Sequence, residues 1–158
     1  MTLTLDPTAI DLATVRQLWQ GTPANLDAAS YYQAVGAYAG GYYGATISNA
    51  GSIYAGVDGY AFFPTYGFDA TGALAVSYDG DATISNSGYI GAAAYGYTAQ
   101  NDINGIGAVA SSYNGNASIT NSSTGTIYAY AGGYGAYGVY AIGAYAQSQN
   151  GDATLTNA

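Results

Sequence analysis

The chain of 158 residues has a formal net charge of −8, and its composition excludes several classes of function. Its acidic residues are all Asp, Arg16 is its single basic residue, and it contains no His and no Cys. Nucleic acid is excluded as a partner, because phosphate neutralisation needs clustered Lys or Arg. The usual general bases and nucleophiles are also missing, so we expect neither enzyme activity nor a cofactor.

Residues 1–34 differ from the rest of the chain and are predicted to form a helical cap. Asp6 occupies a favourable N-cap position for a first helix, proline follows it, and Gly21 is the expected stop. A second short helix is predicted over about residues 25–32. The open end of a repeat stack needs protection, which favours a cap, while a docking element for a partner or an anchor is the alternative.

No export signal or membrane segment is recognised in the sequence. Residues 1–21 lack the basic and apolar regions of a secretory leader, and no apolar run approaches the length of a membrane span. If the protein is exported, we therefore expect either a leader that is absent from this sequence or a different route.

A repeat of about 36 residues begins at Val35, and residues 35–158 are predicted to form one repeat domain. Four glycines mark the same position in successive copies, at spacings of 36, 35 and 36 residues: Gly36, Gly72, Gly107 and Gly143. A weaker half-repeat relates the segments that begin at Ile90 and Ile106. We therefore favour two rungs of about 18 residues in each period over one coil of 36 residues.

Alternation within the repeats predicts short strands. Ala117, Ile119 and Asn121 share one face, opposite Ser118 and Thr120, so Ala and Ile would stack inward on the next rung. Asn-Gly and Asp-Gly pairs between the strands predict corners with positive φ, although in isolation they equally indicate hairpins. Their in-phase repetition favours an all-β fold, a parallel β-solenoid.

The segments GDATISNSGYI, GNASITNSSTGTI and GDATLTN resemble the repeat regions of large secreted bacterial proteins, such as autotransporter passengers and haemagglutinin-like adhesins. The resemblance covers roughly residues 35–158. It implies a right-handed parallel β-helix outside the cell or on the bacterial surface, used for adhesion, aggregation or matrix building. It provides no catalytic motif.

Two sets of polar residues recur on the predicted strands. An Asn follows each Thr-rich strand, and stacked amides can donate and accept along a ladder. This amide column consists of Asn49, Asn86, Asn121 and Asn157. Outward hydroxyls form a second set, the hydroxyl array, which resembles the ice-binding surface of antifreeze proteins, although Thr and Ser are also ordinary solvent-facing strand residues. Its members are Thr46, Ser48, Thr83, Ser85, Ser118, Thr120, Thr154 and Thr156.

Tyrosines are the other candidate surface. Exposed aromatic rows can stack on sugars, on neighbouring fibres or on one another, or simply pack across rungs. The candidates are Tyr38, Tyr54, Tyr128, Tyr130 and Tyr145.

Acidic and amide side chains at the corners offer oxygen ligands for Ca²⁺, but ordinary turn chemistry explains them better. These residues are Asp79, Asp81, Asp152, Asn114, Asn116 and Asn150. Asp79 and Asp81 are also the best carboxylate pair for a glycan-cleaving enzyme, and their placement in one turn gives that hypothesis weak support.

The sequence stops within a strand motif, which indicates either a longer array or addition of subunits end to end. Our first hypothesis is an extracellular structural and adhesive β-solenoid that associates with itself and contacts glycans or cells. The alternative is an ice-binding protein that acts through the hydroxyl array.

Overall fold

The computed structural model describes residues 2–4, 25–30, 32–61, 67–98 and 101–158, and the regular elements in those ranges are all β-strands. Side chains are described for residues 32–59, 67–97 and 101–158. The strands are β1 (Thr2–Thr4), β2 (Asn25–Ser30), β3 (Gln33–Gly41), β4 (Ala45–Asn49), β5 (Ser52–Ala61), β6 (Phe68–Ser77), β7 (Ala82–Asn86), β8 (Tyr89–Thr98), β9 (Ile103–Ser112), β10 (Ala117–Asn121), β11 (Thr126–Tyr134), β12 (Val139–Ser148) and β13 (Ala153–Asn157).

The strands form three parallel sheets that surround a shared interior. Sheet A contains β1, β2, β5, β8 and β11, sheet B contains β3, β6, β9 and β12, and sheet C contains β4, β7, β10 and β13. From β3 onward the chain visits sheets B, C and A in turn, and every strand pair in the described ranges is parallel. The prediction of an all-β parallel β-solenoid is confirmed, and the hairpin alternative is wrong.

From β3 onward, one coil takes 35 to 37 residues, so the preference for 18-residue rungs is wrong. Phe68 pairs with Ile103, 35 residues later, and Ala45 pairs with Ala82, 37 residues later. The half-repeat arises because two sheets of one coil carry similar small residues, not because these segments stack. Ile90 lies fully buried in sheet A, whereas Ile106 lies half-buried on the outer side of sheet B.

The predicted helical cap is not supported where its residues are described. Residues 25–30, predicted as helix, form β2, which pairs with β5 and places Leu26 beside Ile53 and Ala28 beside Ala55. The alternation of Leu and Ala matches the Ile and Ala of the later coils, and sheet pairing overrides local helix propensity. Residues 2–4 also join sheet A, as β1. The first predicted helix, at residues 6–21, lies outside the described residues, and the division at residue 34 stays a prediction.

The core is divided into two compartments. The first lies between sheet C and the adjoining halves of the other two sheets, and Ile84, Ile119 and Ile90 fill it together with alanines. The second lies between the remaining halves of sheets A and B and contains Phe68 and Ile103. These five side chains are at most 1% exposed. Burial of each large side chain contributes roughly 1.5–3 kcal/mol.

The glycines that mark the repeat sit at the waist between the two compartments. A Cβ on Gly72 would lie 2.8 Å from Ile90 Cγ2 and 2.9 Å from the Gly91 carbonyl oxygen, both in sheet A. Gly107 is in the same situation, with a Cβ position 2.6 Å from Ile127 Cγ2. Sheets A and B therefore approach each other too closely here for any side chain. We call Gly36, Gly72, Gly107 and Gly143 the waist glycines.

Candidate binding surfaces

The amide column is a continuous hydrogen-bond ladder inside the corner between sheets C and A. Asn49 Nδ2 donates to Asn86 Oδ1 (2.7 Å), Asn86 Nδ2 to Asn121 Oδ1 (2.8 Å) and Asn121 Nδ2 to Asn157 Oδ1 (2.8 Å). The same amide groups also donate to carbonyls of their corners, for example Asn86 Nδ2 to the Gly88 oxygen (3.1 Å). Asn49, Asn86 and Asn121 are buried. Because these groups are mutually satisfied, the column is a structural element rather than a ligand site.

The hydroxyl array occupies the outer face of sheet C. Strand register places its members in two ranks of four, one residue per coil in each rank. The first rank is Thr46, Thr83, Ser118 and Thr154, and the second is Ser48, Ser85, Thr120 and Thr156. Within the first rank, Ser118 Oγ lies 3.4 Å from Thr83 Oγ1. The ranks lie about 6.7 Å apart, and their members follow one another at about 4.8 Å, the standard spacings of a strand and a sheet.

The five predicted tyrosines lie on two different faces and do not form one row. Tyr38 and Tyr145 belong to one column of sheet B, where Leu74 and Val109 separate them. The other three lie on the outer face of sheet A, where Gly91 stands between Tyr54 and Tyr128 in the register and Tyr130 follows in the next column. No two of these five tyrosines are therefore direct neighbours in one column, and they do not stack on each other across adjacent strands.

On sheet A, three tyrosines are each followed two residues later by a glycine on the same face. The position that a Cβ would take on Gly56 lies 3.1 Å from Tyr54 Cε1, on Gly91 it lies 2.6 Å from Tyr89 Cε1, and on Gly132 it lies 2.9 Å from Tyr130 Cζ. Each ring thus lies along its strand over the glycine and does not stand away from the sheet. We call these the tyrosine–glycine pairs: Tyr54 with Gly56, Tyr89 with Gly91, and Tyr130 with Gly132.

A tyrosine stack that the sequence interpretation missed lies at the corner between sheets B and C. The Tyr78 and Tyr113 rings are stacked at 5.0 Å between centroids with planes 3° apart, and Tyr42 continues the stack 5.2 Å from Tyr78. Tyr78 and Tyr113 each precede an Asp-Gly or Asn-Gly pair, and Tyr42 stands in the equivalent corner of the first coil. That recurrence of a tyrosine before the corner is the signal in the sequence from which the stack could have been predicted.

Gly80 and Gly115, the corner glycines after Tyr78 and Tyr113, have a different role from the one predicted. Positive φ was expected, but within the described residues it is found at Gly44, Gly133 and Gly135 and not at Gly80 or Gly115. A Cβ on Gly115 would clash with the Gly80 carbonyl of the preceding coil. The corners therefore need glycine because successive corners stack backbone on backbone.

The corner acids and amides form two ladders. Asn114 Nδ2 donates to Asp79 Oδ1 (2.9 Å), and Asn150 Nδ2 donates to Asn114 Oδ1 (2.9 Å). In the neighbouring ladder, the Asn116 backbone N–H donates to Asp81 Oδ1 (2.8 Å).

The ladder that begins at Asp81 continues to the next coil, where the Asp152 backbone N–H donates to Asn116 Oδ1 (3.0 Å). An amide separates Asp81 from Asp152, so these carboxylates do not stack directly on each other. The described ranges contain no cluster of three or more acidic, His or Cys side chains suited to a metal ion.

No family model, no curated protein and no solved structure matches the chain. In the part of the chain that the structure describes, no helix has the length and hydropathy needed to cross a membrane.

Proposed function

We propose that the protein is a structural and adhesive β-solenoid of the bacterial cell surface or the extracellular space, which associates with itself through the edge of its stack. Rigid parallel ladders, few charges and exposed phenols suit a scaffold that contacts other surfaces. This proposal also rests on the resemblance of its repeats to those of secreted bacterial proteins.

The observation that carries the proposal is the edge formed by β11, β12 and β13. Leu155 occupies the same inward column as Ile84 and Ile119 but is 51% exposed, whereas those two are buried at 0% and 1%. Within the described residues, the last coil thus exposes a core layer in the same register as the buried layers of the coils before it. Edges of this kind template the addition of further strands.

Electron microscopy and sedimentation of the purified chain test the proposal. We expect filaments or higher oligomers. Leu155→Lys places a charge in the inward column and should abolish them, because inward charges protect edges from pairing. Thr156→Lys, on the outer face of the same strand, should leave assembly intact. A chain that stays monomeric at high concentration, or equal behaviour of the two variants, would contradict self-association.

A second candidate function is ice binding, and one observation favours it. The hydroxyl array is complete on all four strands of sheet C, and the strand register aligns its members in two ranks. Three of the eight positions are Ser, which lacks the methyl group of Thr.

Thermal hysteresis of a dilute solution tests ice binding. Thr83→Lys or Thr154→Lys should remove the effect, whereas Ala93→Lys on sheet A should preserve it. Absence of hysteresis in the unaltered protein would end this candidate.

A further inference from the structure

We propose that four tyrosines at the corner between sheets B and C form an oxidative cross-linking site, which joins two copies of the chain through a covalent bond between their Tyr43 rings. The bond is a dityrosine, and its formation needs a one-electron oxidant, such as a haem peroxidase with hydrogen peroxide. We call the four residues the corner tyrosines: Tyr113, Tyr78, Tyr42 and Tyr43. This inference goes beyond the proposed association at the edge of the stack and does not depend on it.

The corner tyrosines form one chain of ring contacts. Their centroids lie 5.0 Å apart between Tyr113 and Tyr78 and 5.2 Å apart between Tyr78 and Tyr42. The Tyr43 ring contacts Tyr42 edge to face, at 4.8 Å with planes 74° apart. All three separations lie in the range of direct aromatic contact. An electron can therefore pass from ring to ring along the whole chain.

The chain of rings leads to one highly exposed phenol. After Tyr113 the next position of the column is Gln149, because the Asn150 backbone N–H donates to the Tyr113 carbonyl oxygen (3.0 Å). An amide side chain does not form a phenoxyl radical, so the chain of rings ends there. At its other end the Tyr43 side chain is 84% exposed, compared with 40% for Tyr113. Coupling requires that rings of two copies meet, and exposure therefore selects Tyr43.

The composition of the chain directs oxidation to tyrosine. Sulfur side chains are common targets of biological oxidants. This chain has no Cys and one Met, against 19 Tyr. Phenols are therefore the main oxidisable groups that an exposed corner can offer.

The reaction balances with two phenols and one molecule of hydrogen peroxide. Each phenol gives up one electron and one proton and becomes a phenoxyl radical. The two radicals join through a C–C bond between the ring carbons next to their oxygens, and the hydrogen on each of these carbons moves to the oxygen. Peroxide takes the two electrons and two protons and leaves as two waters.

The geometry of the stack disfavours coupling inside one chain. The new bond needs the two rings edge to edge, whereas Tyr78 and Tyr113 lie face to face with planes 3° apart. These rings therefore conduct an electron without being joined themselves, and the bond forms between copies.

Treatment of the purified chain with a haem peroxidase and hydrogen peroxide tests the proposal. We expect covalent dimers in denaturing gel electrophoresis, with the fluorescence of dityrosine. Mass spectrometry of the digested dimer should show the loss of two hydrogen atoms and place the bond between the Tyr43 residues of two chains.

Three variants separate the chain of rings from simple exposure. Tyr43→Phe should remove most of the covalent dimer. Tyr137→Phe is the matched control and should change the dimer little, because Tyr137 is 77% exposed but makes no ring contact with the described residues. Tyr78→Phe keeps a ring in the stack that cannot become a phenoxyl radical, so it should lower the dimer yield while Tm is unchanged.

Absence of covalent dimers, cross-links confined to one chain, or equal dimer yields from Tyr43→Phe and Tyr137→Phe would each overturn this inference. The Leu155→Lys variant distinguishes it from the proposed function, because Tyr43 lies in the first corner after β3 and Leu155 lies in the last strand. Dimers should still form in that variant when filaments do not. Their loss would show that contact at the edge brings the rings together, and would also overturn the inference.

Discussion

Comparing the Gly→Ala substitution at two waist glycines isolates the cost of close packing between sheets A and B. Gly107→Ala places a Cβ 2.6 Å from Ile127 Cγ2 and 3.1 Å from the Tyr128 carbonyl oxygen, and also against the Gly143 carbonyl. Gly143→Ala makes the same change in the same column one coil later, where a Cβ meets nothing within 4 Å.

The expected difference follows from these contacts. Overpacking of a core position costs about 1–3 kcal/mol. The loss of chain entropy in the unfolded state stabilises both variants by about 0.4–1 kcal/mol and therefore cancels between them. Gly107→Ala should thus be about 1–3 kcal/mol less stable than Gly143→Ala, which corresponds to roughly 2–12 °C in Tm for a chain of this size.

Thermal unfolding followed by far-UV circular dichroism measures this difference, and urea unfolding provides a second estimate. Equal Tm values for the two variants would show that sheets A and B do not approach at the waist as described. A large loss of stability in Gly143→Ala would show that the column needs glycine for its backbone conformation instead.

Three further predictions concern single columns of the stack. Ile84→Ala should lower the free energy of unfolding by about 2–5 kcal/mol, whereas Leu155→Ala should change it by about 0.5 kcal/mol or less. Urea unfolding measures both values. Similar losses in the two variants would contradict the assignment of Ile84 to a buried inward column. Asn86→Ala leaves the neighbouring Asn side chains of the amide column without a partner and should lower the free energy of unfolding by about 1–3 kcal/mol. Asn157→Ala should lower it less. Hydrogen exchange at the corner amides will detect the difference. Asn116→Asp creates three successive carboxylates about 4.8 Å apart, each contact costing about 1 kcal/mol in water. Its Tm deficit should therefore shrink in about 1 M NaCl, and a deficit that is independent of salt would refute the repulsion.

Much of the fold was predictable because one pattern of strands and corners is repeated four times along the sequence. The alternation around Ile84 and Ile119 predicts which side chains point inward, and the recurring Asn after each Thr-rich strand places the amide column on one corner. The spacing of the waist glycines, 36, 35 and 36 residues, already agrees with a coil length of 35 to 37 residues. The half-repeat obscured it, because alanine-rich strands of two different sheets are similar in sequence without being stacked.

Other features could not be predicted because they depend on contacts between coils. The strand at residues 25–30 has a composition that also suits a helix, and its pairing with β5 decides the outcome. The corner glycines were assigned to backbone conformation, whereas their requirement is steric contact with the preceding corner. The tyrosine–glycine pairs depend on each ring lying over its glycine, an orientation that the spacing of the two residues in the sequence does not determine.

The size of one coil has a mechanical consequence. A coil of 35 to 37 residues adds about 4.8 Å to the height of the stack, but its chain spans roughly 120 Å when extended. Tension applied at the ends of the molecule would detach coils one at a time and lengthen the protein in steps, each roughly 25 times the height that the coil occupied. A tether built in this way absorbs a sudden pull without breaking its chain.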